Sequence, residues 1–264
     1  MKYELTSNTK EVNGITLYQI RALKDFGWVK AGVQGGWIEK ESNLSQEGNC
    51  WVSGNAWVSD TAKVSGNAVV SGNAEVSDNA WVYGNAEVSG AAVVSGAAVV
   101  SGNAWVYGNA EVSSAAVVSG DAWVYGDAWV SGNAWVYGAA KVSGNAWVYG
   151  AAKVSGTARV SGNARVYGNA WVYGNAEVYS DAVVSGDASI TETEHYCTFG
   201  GFGSQQRTTT AFIDSKIGIR VNYGCFSGSL DEFKKQIKKT HSVGSKHRET
   251  YLLIAKVIVK QLKM

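Results

Sequence analysis

From Val52 to Ile190 an aliphatic residue falls at every sixth position, 24 times without a break in register. Two residues before each stands an alanine, with Cys50 the one exception. The unit reads Ala-x-Val-(Ser/Tyr)-Gly-Asn, as in Ala104-Trp105-Val106-Tyr107-Gly108-Asn109. Its first four residues alternate with the two-residue period of a strand. Gly-Asn then supplies a corner, because these residues best tolerate left-handed backbone angles. The position before each valine holds Trp, Glu, Lys, Arg, Val or Ser. Such a mixture cannot share a narrow interior, since buried charges need partners, so Ala and Val face inward. A flat meander of four-residue strands would leave that inner face wet. Three hexads coiled into a triangular turn bury it and stack each strand on its equivalent eighteen residues later. Residues 47–190 therefore make about eight coils, roughly 38 Å long at ~4.8 Å per strand spacing.

This pattern, an aliphatic residue with a small residue two positions earlier in each hexad, resembles the hexapeptide-repeat left-handed β-helix. The resemblance implies a parallel, three-sided, left-handed coil. It also implies, from the acyltransferases of that group, a homotrimer with an acyl-CoA cleft between subunits and a catalytic histidine acting as general base.

Residues 1–46 read as a cap on one end of the coil. Ile38 and Leu44 lie six apart, with Gly36 and Ser42 two positions before them, and Leu44 to Val52 is eight, a two-residue insertion. Gln19-Ile20-x-Ala22-Leu23-x-Asp25-Phe26, Val29-Lys30-Ala31-Gly32, Gly35-Gly36-Trp37 and Leu44-Ser45-Gln46 resemble the start of YdcK-like proteins, hexapeptide-repeat proteins labelled acetyltransferases. Residues 191–264 break the repeat. Strands are predicted at 207–213 and 217–222, a helix opened by the Ser229-Leu-Asp-Glu232 capping box to about His241, and a second helix over 246–263. This ββαα module resembles one found in uncharacterised phage and prophage proteins, which brings no activity with it. The whole is a mainly β chain ending in a small α+β module.

Charge separates the same three segments. Residues 1–44 carry 6 basic and 5 acidic side chains, residues 45–190 carry 5 and 11, and residues 191–264 carry 12 and 6. The chain as a whole is +1, so polyanion binding and nucleic acid are not expected by default. No apolar stretch approaches a membrane span, and the opening MKYELTSN lacks the apolar run of a secretory signal. Three cysteines do not make a disulfide framework, so a cytoplasmic setting is expected, in a host cell if the chain is phage-encoded.

Candidate chemistry is sparse. No histidine occurs in residues 1–194, which leaves His195 as the only base for acyl transfer from acetyl-CoA to a sugar or amine. The bland alternative is a structural His at a junction. Nine tryptophans precede the repeat valines and eight tyrosines follow them. Sorting hexads by threes places Trp105 above Trp123 with Lys141 next, Trp129 above Trp147 with Arg165 next, and Trp135 and Trp171 on the third face. These rings either stiffen the coil by stacking, form a homotrimer interface, or make a carbohydrate or nucleobase platform. In the tail, Gly201, Gly203 and Ser204 offer backbone N–H groups, and Arg207 and Arg220 offer positive charge, for a small anionic ligand such as a nucleotide. An ordinary turn is the competing reading. Cys197, Cys225, His241 and His247 are zinc-ligand types without zinc-ligand spacing, so no metal is expected. The expectation is a non-enzymatic scaffold that presents its tail to a host partner or sequesters a small ligand, with no cofactor required.

Overall fold

A computed structural model describes residues 1–200 and 207–262. The hexads coil as the register demands. One sheet stacks Trp51–Val52 through Glu177–Val178, a second Trp57–Val58 through Val183–Val184, and a third Lys63–Val64 through Ser189–Ile190. Each strand pairs in parallel with the one eighteen residues on, for example Trp105 with Trp123, Trp129 with Trp147 and Trp135 with Lys153. Every inward alanine and valine of the repeat is buried, forming one continuous core. Regular strand is shorter than the four residues the alternation predicts. Most strands are two residues long, and only Trp105–Gly108 and Trp123–Gly126 reach four. The corner shortens them, because the alanine N–H often turns back on the preceding hexad (Ala56 N–H to Ser53 O, 3.3 Å). Backbone bonding between coils nonetheless continues through the corner, as Asn55 N–H donates to Gly72 O at 2.8 Å.

The corner requires a positive φ. Gly108 has φ +77°, and a Cβ there would lie 3.0 Å from the backbone N of Gly126 in the next coil. Where the corner is not glycine it is Ser114, Ser180 or one of two aspartates, Asp60 (φ 55°) and Asp78 (φ 59°). The carboxylates of these aspartates accept the N–H of Asp78 and Gly96 one coil further on, at 3.3 and 2.9 Å. Asparagine side chains beside the corners form ladders of the same period. Asn49, Asn67, Asn85 and Asn103 each donate to the next, and the run ends on Asp121, which only accepts.

The N-terminal segment adds a further turn, giving about nine. Ile38 pairs with Val58 and Leu44 bridges Val64, each twenty residues on, so the two-residue insertion is absorbed in one longer coil. Ser42 does not take the inward small position. It is exposed in a 3-10 turn (Glu41–Asn43), and the buried Asn43 amide instead donates to the carbonyls of Asp60 and Ala62. A hairpin of Tyr3–Val12 and Ile15–Ala22, turning on Asn13-Gly14, extends the second sheet through Gln34–Ile38. It covers Trp51, which is fully buried beneath Tyr3 and Phe26, so this tryptophan does not join the outward aromatics.

After the last coil the chain forms a four-stranded antiparallel sheet, Tyr196–Phe199, Thr209–Asp214, Gly218–Tyr223 and Phe226–Ser229. Two of these strands were legible; the outer two were not. Helix α1 (Leu230–Thr240) starts at the Ser229/Glu232 capping box and α2 (Lys246–Gln261) at Ser245. Strand alternation sandwiches the sheet. Ala211 and Val221 join Phe233, Ile237, Tyr251 and Ile258 of the helices in a second core. Phe212 turns the other way, onto the end of the coil.

Docking is polar and specific. Asn222 donates to Val183 O (2.8 Å) and Ser185 Oγ (2.9 Å), and Thr210 Oγ1 accepts from Val183 N–H (2.9 Å). Asp214, 1 % exposed, accepts the N–H groups of Lys216 and Ile217 on one oxygen and those of Asp187 and Arg220 Nε on the other.

Candidate functional site

A cavity of the C-terminal module, about 190 Å³, lies where the strand pair Gly218–Tyr223 and Phe226–Ser229 meets α1 and α2. Its rings come from both layers: Tyr223 and Phe226 from the sheet, Phe233 from α1, Tyr251 from α2. They pack edge to face, with Tyr223 5.3 Å from Tyr251 and Phe233 6.2 Å from it. The Tyr251 hydroxyl donates to that of Tyr223, and burial first, then this bond, holds the Tyr251 phenol above its ordinary pKa. His241, at the C-terminus of α1, stacks on Tyr251 at 5.5 Å. Its backbone carbonyl accepts from Arg248 Nη1 at 3.2 Å, which fixes the loop between the helices. Gln236, Thr240 and Arg207 supply the polar wall. The exposed Arg207 lies across Gly224, where any side chain would collide with it. The result is an aromatic floor with a guanidinium at its edge.

Of the two anion-binding residues read from the sequence that are described, Arg207 and Arg220, only Arg207 lines this cavity. Gly201, Gly203 and Ser204 lie outside the described residues. Arg220 is engaged elsewhere, 2.7 Å from Asp214 through Nε and 3.3 Å from Ser227 Oγ through Nη1. Burial pushes the Asp214 carboxyl up, but Arg220 and the three backbone N–H groups outweigh it, so its pKa lies below the ordinary value. Sequence reasoning missed the ring cluster, although Phe233 and Ile237 of α1 and Tyr251 and Ile254 of α2 show the spacing of helix faces that must bury something.

His195 closes a 3-10 turn (Thr193–His195) beyond the last coil. Its Nδ1 accepts from the N–H of Thr191 (3.3 Å) and lies 2.9 Å from Thr191 Oγ1. It is not among the residues walling the cavity. Cys197 is partly buried, which pushes its thiol up to about 11, whereas Cys225 is exposed and lines the cavity. Among the described residues no three His, Cys, Asp or Glu side chains converge to hold a metal ion.

The outward aromatics differ face by face. Trp105 and Trp123 are parallel (8°, 5.3 Å), as are Tyr107 and Tyr125 beside them (1°, 5.0 Å), and Lys141 Nζ lies 4.4 Å over Trp123. Trp129 and Trp147 instead meet edge to face (78°, 5.0 Å), with Arg165 5.0 Å over Trp147. On the third face Lys153 stands between Trp135 and Trp171 in the column, and the Trp171 indole donates to Ser155 Oγ (3.0 Å). Trp105, Trp135, Trp147 and Trp171 all remain more than a third exposed. No helix among the described residues is long and apolar enough to cross a membrane.

Comparison with known proteins bears on the coil. Residues 158–174 match the family model described as YdcK Beta solenoid repeat. No curated protein matches the chain. The repeats are of the β-solenoid kind, as the match and the parallel three-sided coil agree.

Proposed function

We propose that this protein is a non-enzymatic β-solenoid scaffold whose C-terminal module holds a small anionic ligand with an aromatic part, a nucleotide being the class that fits. The observation that carries this reading is the cavity, where Arg207 stands at the edge of a floor made by Tyr223, Phe226, Phe233 and Tyr251. A guanidinium pairs with phosphate in two-point fashion, and the half-buried rings of Tyr223 and Phe226 can take a base by stacking, while Phe233 and Tyr251 are buried. Sequestration needs those groups and no base or nucleophile. Acyl transfer draws no support from the geometry, since His195 is bound to Thr191 and stands apart from the cavity walls.

The scaffold is a homotrimer associating through the face of Trp105 and Trp123. The two parallel pairs there present a contiguous apolar strip across two coils, a surface that burial against another copy would satisfy. Exposure of the C-terminal module at one end of a rigid rod suits presentation to a host protein.

The test is native mass spectrometry of protein purified from cells, followed by calorimetric titration with adenosine and guanosine mono- and cyclic nucleotides. An added mass of nucleotide size, and at least about tenfold weaker binding in Arg207→Ala, supports the reading. Titration with coenzyme A and acetyl-CoA, together with turnover lost in His195→Ala, would replace it with the acyltransferase reading.

A further inference from the structure

A second site lies on the coil itself. Trp129, Ser131, Trp147 and Tyr149 wall a cleft of about 250 Å³ on the second sheet. The cleft exists because this pair of rings fails to stack. Trp105 and Trp123, at the same eighteen-residue spacing, lie parallel at 5.3 Å and 8°. Trp129 and Trp147 are nearly perpendicular, which opens a wedge between one ring's face and the other's edge.

The three aromatic walls are each held by a neighbour. The Trp129 indole N–H donates to Ser113 Oγ at 3.1 Å. Arg165 covers Trp147 at 5.0 Å. Tyr167 stacks on Tyr149 at 4.9 Å and 10°. The walls are thus ordered before anything binds, which lowers the cost of binding.

We infer that this cleft binds a pyranose ring of a neutral glycan. A pyranose offers an apolar C–H face, whose weakly positive hydrogens suit the negative face of an indole, and an edge of hydroxyls. Its puckered shape fits a wedge, whereas a flat base stacks on a flat face. Ser131 and Tyr149, the two lining residues that carry a hydroxyl, flank the indole rings, and the lining is otherwise apolar, as the C–H face requires. Shape, not charge, decides against a nucleic-acid strand: residues 45–190 carry 11 acidic and 5 basic side chains, but Lys141, Lys153, Arg159 and Arg165 all fall within residues 129–176, which hold no acidic side chain. This site is separate from the Arg207 cavity and shares no residue with it.

The full-length protein is titrated with cellohexaose, maltohexaose, chitohexaose and oligo-dT, reading tryptophan fluorescence and heat. Saturable binding of at least one of the three neutral hexasaccharides is expected. Trp147→Ala should weaken it about tenfold or more with unchanged far-UV circular dichroism, while Trp171→Ala on another face leaves it intact. Three results overturn the inference: no binding of any hexasaccharide at millimolar concentration, binding indifferent to Trp147→Ala, or binding of oligo-dT alone. Arg207→Ala, which weakens nucleotide binding under the proposed function, leaves glycan binding unchanged, so the two sites fail independently.

Discussion

The ammonium of Lys2 donates to the carbonyl of Cys50 at 2.8 Å and lies 3.2 Å from its sulfur, closing one end of the coil with a buried cation. Lys2 is 1 % exposed, also reaches Glu47 O at 3.4 Å, and sits 5.0 Å over the Phe26 ring. A buried ammonium is tolerated only when its donors are met, and here carbonyls, a thiol and a ring face meet them. The single departure from alanine in the repeat series thereby acquires a reason. Position 50 faces the end plug, where a sulfur contacts Lys2 and a methyl would not.

Lys2→Met keeps the length of the side chain but strands the Cys50 and Glu47 carbonyls, and should cost about 1–3 kcal/mol. Cys50→Ala removes only the sulfur contact and should cost less. Denaturant midpoints of the two variants, compared at equal slope, check the order.

Val118 lies at the centre of the core, between Val100 and Val136 of its column, with no exposed surface. Val118→Asp buries a carboxylate with no partner and should destabilise the coil by more than about 4 kcal/mol. A thermal melt reads this directly. A native-like melt would mean that the inner face is not the one described.

At the corner, Gly108→Ala places a Cβ against the backbone of Gly126 at a positive φ, and should cost about 1–2 kcal/mol from the backbone angle alone. Gly108→Asp should cost less than Gly108→Ala, because an aspartate here can accept an N–H of the next coil as Asp60 and Asp78 do. The difference between the two melting temperatures is the measurement.

Asp214 gives the module a pH dependence whose sign is fixed. Its folded pKa lies below the ordinary 3.8, so its contribution is complete above that value and is lost as pH falls through the folded value. The C-terminal module should loosen from the coil below about pH 4, seen as faster amide exchange over residues 209–223 while the coil stays protected. Asp214→Asn should show that looser exchange already at neutral pH.

Trp105→Ser with Trp123→Ser removes the parallel stack without touching the inner face. Circular dichroism should be unchanged, and the mass in solution should fall from trimer to monomer. An unchanged trimer would return these rings to stacking alone.

The sequence by itself determined the coil. With a six-residue period and an eighteen-residue turn, each residue's partners above and below are copies of its own hexad, so one unit dictates burial, corner and register throughout. The columns Trp105/Trp123/Lys141 and Trp129/Trp147/Arg165 follow from counting alone. The tertiary structure decided what happens once and is not repeated. Lys2 meets Cys50 across 48 residues, and Asn222 reaches Val183 across 39, contacts that no local pattern encodes. It decided that Arg220 serves Asp214 while Arg207 edges a cavity, because strand alternation turned the first toward the coil and the sheet–helix packing set the second beside Tyr223 and Phe226. It also decided that two tryptophan pairs of identical spacing differ. Register fixes where their backbones lie, but ring orientation is set by the neighbouring side chains, Ser113 and Arg165 for one pair and Tyr107 and Tyr125 for the other.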